Sequence, residues 1–214
     1  METLAHNIAS KIAFHMDYDE DRKEVIAYGL TALLQMTVIF TIITILGLIF
    51  DFWYESLIIF FGVGIIRKST GGAHSRTMNG CIVISVLSVT LLSAMSRHLL
   101  NHPWIVMHNM IISSTTYIIC LLVFYLRVPV DNPNKPIVKP EKIKRLRRQS
   151  FLVLTIFFCL SILGVLFTEQ FYRLYSIVVI LRLTMLWQAF TLTKTGVIFF
   201  EKVDLGFEVI FQLK

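Results

Sequence analysis

The chain has 214 residues, 56% of them hydrophobic and only 16% charged, whereas soluble domains carry roughly 25% charged residues. That is about 120 apolar residues, and a membrane-crossing helix takes about 20. Composition therefore provides for roughly six crossings and excludes a soluble single-core enzyme, a secreted disulfide scaffold and a disordered tail. The net charge of +6 would suggest nucleic acid in a soluble protein. Here the basic residues gather in two inter-helix loops, which the positive-inside rule explains with no nucleic-acid partner.

In chain order, residues 1–16 place Met1, Leu4, Ala5, Ile8, Ala9, Ile12, Ala13 and Met16 on one arc, an amphipathic helix with Phe14 outside it. Such a helix either lies in the membrane interface or packs on the protein's own cytoplasmic side. The first 24 residues lack an apolar core, so no cleavable leader is expected. They end in an acidic cluster, Asp17, Asp19, Glu20, Asp21 and Glu24, read as a solvated face. Residues 28–50 are an uncharged span. Asp51 and Glu55 bracket a turn with Trp53 and Tyr54, an aromatic pair suited to the membrane–water interface. The next two apolar runs, Ser56–Ile66 and Cys81–Met95, are short, and a Gly-rich basic loop at 67–80 separates them.

A further span follows Pro103 and Trp104 and runs to Leu126. Residues 127–149 hold four of the five prolines and eight of the 20 basic residues. The last two spans are Ser150–Phe167 and Tyr172–Thr193, with Glu169 in the turn between them, and 195–214 reads as a tail. The expected fold is all-α: a single integral membrane domain over 1–214, with about six transmembrane helices, an N-terminal amphipathic region at 1–27 and short helices flanking the 67–80 loop. Both basic loops and both termini are expected in the cytoplasm.

The stretch Arg67-Lys68-Ser69-Thr70-Gly71-Gly72-Ala73-His74-Ser75-Arg76-Thr77-Met78-Asn79-Gly80-Cys81 is the informative one. Non-helical backbone at membrane depth survives only where protein or a watery cavity satisfies its polar groups. Two short helices meeting at such a loop imply a polar cleft in the cytoplasmic leaflet. Asn79 is a natural N-cap, which puts Cys81 just inside a helix start, where the N–H groups and nearby cations Arg67, Lys68 and Arg76 favour a thiolate. His74, seven residues earlier, makes a Cys–His nucleophile pair feasible, with the helix N–H groups as an oxyanion hole. Spacing alone favours the blander reading, a solvated loop histidine and a packed thiol. No second ligand pair for zinc is visible, and Cys120 and Cys159 lie inside apolar runs. Arg182, midway along the last span, either contacts substrate in the cleft, pairs with Glu55 or Glu169, or snorkels.

The string RKSTGGAHSRTMNGC, followed by the basic loop with Asn134-Lys135-Pro136-Ile137, resembles the accessory gene regulator protein B (AgrB) family. These are Gram-positive membrane cysteine endopeptidases that process quorum-sensing propeptides. The resemblance spans size, helix count and loop order. It implies Cys81 as nucleophile and His74 as its partner, with Arg67 and Gly72 supporting, and a basic stretch at Lys142, Lys144, Arg145, Arg147 and Arg148. Asn79, Ser75 and Glu55 are the candidates for a third residue orienting His74. It also implies an AgrD-type propeptide substrate with an amphipathic N-terminal helix and an acidic C-terminal segment. Cleavage through a Cys acyl-enzyme then permits cyclisation to a thiolactone or lactone. The basic stretch and Arg182 are the expected substrate contacts, although positive-inside charge alone also explains the former. No cofactor or metal is expected, since thioester exchange is roughly energy-neutral and no Walker-type phosphate loop is present. Membrane lipid and a second copy of the chain, as a homodimer, are the other expected partners. The alternative is a small polytopic transporter or exporter of a signalling peptide, although internal repeats are missing. A transporter tolerates Cys81→Ser, whereas a cysteine peptidase does not.

Overall fold

The computed structural model describes the chain except residues 1, 74, 76, 101, 103–106, 131–138, 168–171 and 213–214, and the side chains of 172 and 207–212. The described residues form eight helices and no strand: α1 (Glu2–Met16), α2 (Glu20–Ile49), α3 (Trp53–Thr70), α4 (Met78–Leu100), α5 (Asn109–Arg127), α6 (Pro140–Leu166), α7 (Tyr172–Thr191) and α8 (Lys194–Gln212). Five of them, α2, α4, α5, α6 and α7, are long and apolar enough to cross a membrane. The all-helical membrane architecture is thus as expected. α3 is the sixth rod of the bundle. Its 18 residues reach about 27 Å at 1.5 Å per residue, a little under the roughly 30 Å hydrocarbon core.

Two expectations are corrected. α4 is not short, because the helix continues past Arg97 to Leu100. Arg97 stays in the helix because Nε donates to Glu55 Oε1 at 2.9 Å and Nη1 to Asp51 Oδ2 at 3.1 Å. The 127–149 stretch is not all loop: α6 starts at Pro140, so Lys142 through Arg148 occupy its first turns. Pro140 suits that start, since its missing N–H has no helical partner there anyway. The tail is helical as far as Gln212, since α8 begins at Lys194 and packs against α4 and α7.

The amphipathic helix divides its apolar arc. Ala5, Ala9 and Ala13, four residues apart, are buried as α1 packs on α2, while Leu4 and Met16 of the arc, and Phe14 beside it, are exposed. The acidic cluster is part solvated face and part helix start: Asp19 caps α2 by accepting from Arg22 N at 2.9 Å.

α7 is the central helix. It touches α3, α4, α5, α6 and α8, and 72% of its span is buried against 17–28% for the other four crossing helices. Around it, Ile66 of α3, Cys120 and Phe124 of α5, Leu154 and Phe157 of α6, and Met185 form one apolar core. Ile39 and Ile43 of α2, Ile59 of α3, Val89 of α4 and Ile180 form a second. The central position explains why α7 carries so many buried polar groups, among them Arg182, Thr184, Gln188 and Thr191. They face protein, not lipid, and so find protein partners.

Candidate active site

α3 ends at Thr70 and α4 starts at Met78, and the loop between them meets the ends of α5 and α7. Its polar groups are met by protein, as membrane-depth backbone requires. Ala73 N donates to Thr191 O at 2.9 Å, and Val130 N, just beyond α5, donates to Thr70 O at 2.9 Å. Gln188 Nε2 donates to Thr70 Oγ1 at 2.8 Å and to Gly71 O at 2.9 Å. The Arg67 guanidinium donates to Ala73 O. Arg67 thus reaches from the last turn of α3 to the residue before His74.

The two glycines are required by this packing. Gly71 has φ +71°, and a Cβ there would lie 2.2 Å from Val130 O. Gly72 has φ +131°, and a Cβ would meet Thr191 Oγ1 at 2.9 Å. Both angles fall where side-chain-bearing residues are strained.

Cys81 lies in the first turns of α4, half-buried and unoxidised. Its place differs from expectation in one respect. Thr77, not Asn79, caps the helix: Thr77 Oγ1 accepts from Gly80 N at 3.1 Å, and Asn79 is exposed. Cys81 is therefore the fourth helical residue, and its own N–H donates to Thr77 O at 3.0 Å. Besides Gly80 N, which Thr77 caps, the N–H groups of Met78 and Asn79 precede the helical ladder in the first turn. Arg67 lies within electrostatic range of the Cys81 sulfur. Loop, arginine and thiol thus stand at the same end of the bundle. His74 and Arg76 lie outside the described residues, as does the Asn134-Lys135-Pro136-Ile137 element. The two residues flanking His74 are both held, Ala73 by Arg67 and Thr191, and Ser75 as described below.

Comparison with known proteins decides the family. The accessory gene regulator B family (AgrB) matches residues 4–192. An AgrB-like protein of Clostridium perfringens (strain SM101 / Type A) is 32% identical over 210 residues, covering 95% of this chain and 96% of the relative. A second AgrB-like protein, from Clostridium perfringens (strain 13 / Type A), is 30% identical over the same length and the same coverage of both chains. The chain belongs to the AgrB family. No solved structure matches it. Membership connects this multi-pass membrane protein to accessory gene regulator quorum-sensing processing and implies an AgrD-type propeptide partner.

In this AgrB-family chain, sequence reasoning missed one residue at the loop. Asp204 of α8 is buried and accepts a hydrogen bond from Ser75 Oγ. Ser75 Oγ has one proton. With that proton on the carboxylate, the hydroxyl oxygen accepts from Thr77 N at 3.3 Å, which ties Asp204 to the cap of α4. Asp204 also stands close against Gly80, where a Cβ would lie 2.6 Å from its Oδ1. The signal was available: Gly196, Phe200 and Asp204 recur every four residues and all are buried. α8 follows the family match at 4–192, so this contact lies beyond it.

Of the three candidates for orienting His74, Ser75 is the one engaged in this network. Asn79 is exposed. Glu55 is at the opposite end of the bundle, paired with Arg97. Arg182 is not at the loop. It is six residues, or about 9 Å along α7, from Gln188, and it donates to Ser113 Oγ at 2.8 Å and to Asn109 O and Oδ1 at 2.7 and 2.5 Å. Neither Glu55 nor solvent is its partner, and Glu169 lies outside the described residues. The basic residues Lys142, Lys144, Arg145, Arg147 and Arg148 are exposed on α6. Arg147 Nη2 donates to Tyr125 O at 3.0 Å, its guanidinium over the Tyr125 ring. Tyr125 is in the last turn of α5, just before the Val130 contact, so this basic surface is at the loop's end of the bundle.

Proposed function

We propose that this chain is a membrane cysteine endopeptidase. It cuts the C-terminal tail from an AgrD-type quorum-sensing propeptide through an acyl-enzyme on Cys81. The observation that carries the reading is the placement of Cys81 at the start of α4, within electrostatic range of Arg67, which itself holds the residue before His74.

In this reading His74 takes the Cys81 proton, and the sulfur attacks the carbonyl carbon of the scissile peptide bond. The N–H groups of Met78 and Asn79 face the developing oxyanion. The C–N bond breaks, and the departing amine takes its proton from the His74 imidazolium. A thioester to Cys81 remains. A thiol or hydroxyl within the acyl peptide then gives its proton to His74 and attacks that thioester; the acyl C–S bond breaks, a thiolactone or lactone closes, and the Cys81 sulfur takes the proton back from His74. Asp204 is a positioning residue, acting through Ser75 on the loop that bears His74. The exposed basic turns of α6 receive an acidic tail, an attraction that salt weakens. Arg182, bound to Asn109 and Ser113, is assigned to the fold. The site loop and both termini face the cytoplasm of a Gram-positive cell, as the basic surface of α6 supports.

The test is co-expression of the chain with its propeptide, read by mass spectrometry. Wild type releases the tail, while Cys81→Ala and His74→Ala leave the precursor intact. Cleavage by Cys81→Ala removes this reading and favours the exporter.

A further inference from the structure

A cavity of about 220 Å³ opens beside the loop, between α4, α7 and α8. Val83, Ile84, Leu87, Ser88, Leu91 and Leu92 of α4 form one wall, and Trp187, Phe199 and Val203 the others. Its lining is almost wholly apolar. From Cys81 the helical period runs to Ile84 and Ser88 at three and seven residues, so the thiol shares a face with the cavity wall. The near end is continuous with the loop. Ile84 and Phe200 bury Ala73, the residue before His74, with Trp187 and Val203 packed on them. From Ile84 to Leu92 the wall extends about 12 Å down α4, away from the loop.

Resting on the endopeptidase reading above, we propose that this cavity is the specificity pocket for the propeptide. It takes a large apolar side chain from the first one or two residues on the acyl side of the scissile bond. Two observations fix the side. The basic turns of α6 are exposed at the loop's end of the bundle, so an anionic leaving tail has its electrostatic partner there. The cavity runs the other way, along the apolar face of a crossing helix, where a charged residue is expensive and an apolar one is rewarded. The peptide therefore lies across Cys81 with its acyl part toward the apolar wall and its tail toward the basic surface.

Two experiments test the pocket. In the first, propeptides differing only in the residue before the scissile bond (Leu, Phe, Ala or Asp) are compared by kcat/KM. Wild type prefers Leu or Phe over Ala by about tenfold or more, the range one apolar pocket supplies, and rejects Asp. Val203→Trp, which fills the cavity, collapses that preference, and Phe199→Ala, which widens it, shifts it toward Phe. An unchanged preference in both variants overturns the pocket. If wild type cleaves none of the propeptides, the endopeptidase reading fails on its own. The second experiment does not need turnover. A propeptide with p-benzoylphenylalanine before the scissile bond is photolysed on the Cys81→Ala protein, and crosslinks at Val83, Leu87 or Val203 are expected. Crosslinks confined to other surfaces, or a retained phospholipid in the cavity with no crosslink there, overturn the proposal in favour of a lipid chain.

Discussion

The two ends of the bundle both place an arginine beside apolar helices, and they treat it in opposite ways. At one end Arg97 meets two carboxylates, and the fully buried Glu55 takes its Nε. Tyr54 OH bonds Ser176 Oγ at 2.8 Å one residue away. This end pairs its arginine with carboxylates. At the other end Arg67 meets no carboxylate among the described residues. It holds the Ala73 carbonyl, with a half-buried thiol within electrostatic reach. The contrast separates a charge that secures the fold from one that, in the proposed reading, serves the chemistry. In a membrane protein of this size both are costly, and only the second needs strained glycines and a helix start around it.

The sharpest way to break the comparison is at the thiol. Cys81→Ala should lower cleavage by more than about a thousandfold, as removal of a nucleophile does elsewhere, with the melting temperature in detergent unchanged. Next is the loop. Gly71→Ala puts a Cβ 2.2 Å from Val130 O at φ +71°. Such strain costs about 1–3 kcal/mol, and cleavage should fall roughly 10- to 100-fold by displacement of the loop. A smaller, opposite pattern is expected at the Arg97 end. Arg97→Ala strips Glu55 of a charged hydrogen bond worth about 1.5–3 kcal/mol, so thermal unfolding comes earlier while kcat of the folded protein stays the same. A fall in kcat there, with stability intact, would erase the distinction between the ends. The mildest change sharpens it: neutralising Lys142 and Lys144 together should raise KM a few-fold, leave kcat alone and flatten the salt dependence of binding.

Local pattern carried most of the fold. Uncharged runs of membrane length gave α2, α5 and α6, and the Gly-Gly pair marked the break between α3 and α4. The errors arose where a residue's partner is far away in sequence. Arg97 read as a boundary, because nothing local shows that Asp51 and Glu55 wait for it across a turn, and α4 was therefore cut short. Thr77 and Asn79 are both good caps in sequence, and the choice of Thr77 follows the Ser75–Asp204 contact with α8. Asp204 was hidden because Glu201 and Lys202 make the segment look like a solvated tail. Counting every fourth residue from Gly196 would have put it on the buried face. Arg182 was legible as buried, but its partners Asn109 and Ser113 are neutral, and a search for an acid could not find them.

The proposed mechanism requires that Cys81 become acylated. The most direct measurement is intact mass of the protein after brief exposure to its propeptide, quenched at acid pH and followed by digestion. A peptide adduct on the fragment containing Cys81, released by hydroxylamine and missing in Cys81→Ser, is the predicted result. Tail release with no adduct at Cys81, or an adduct carried by another residue, would contradict it.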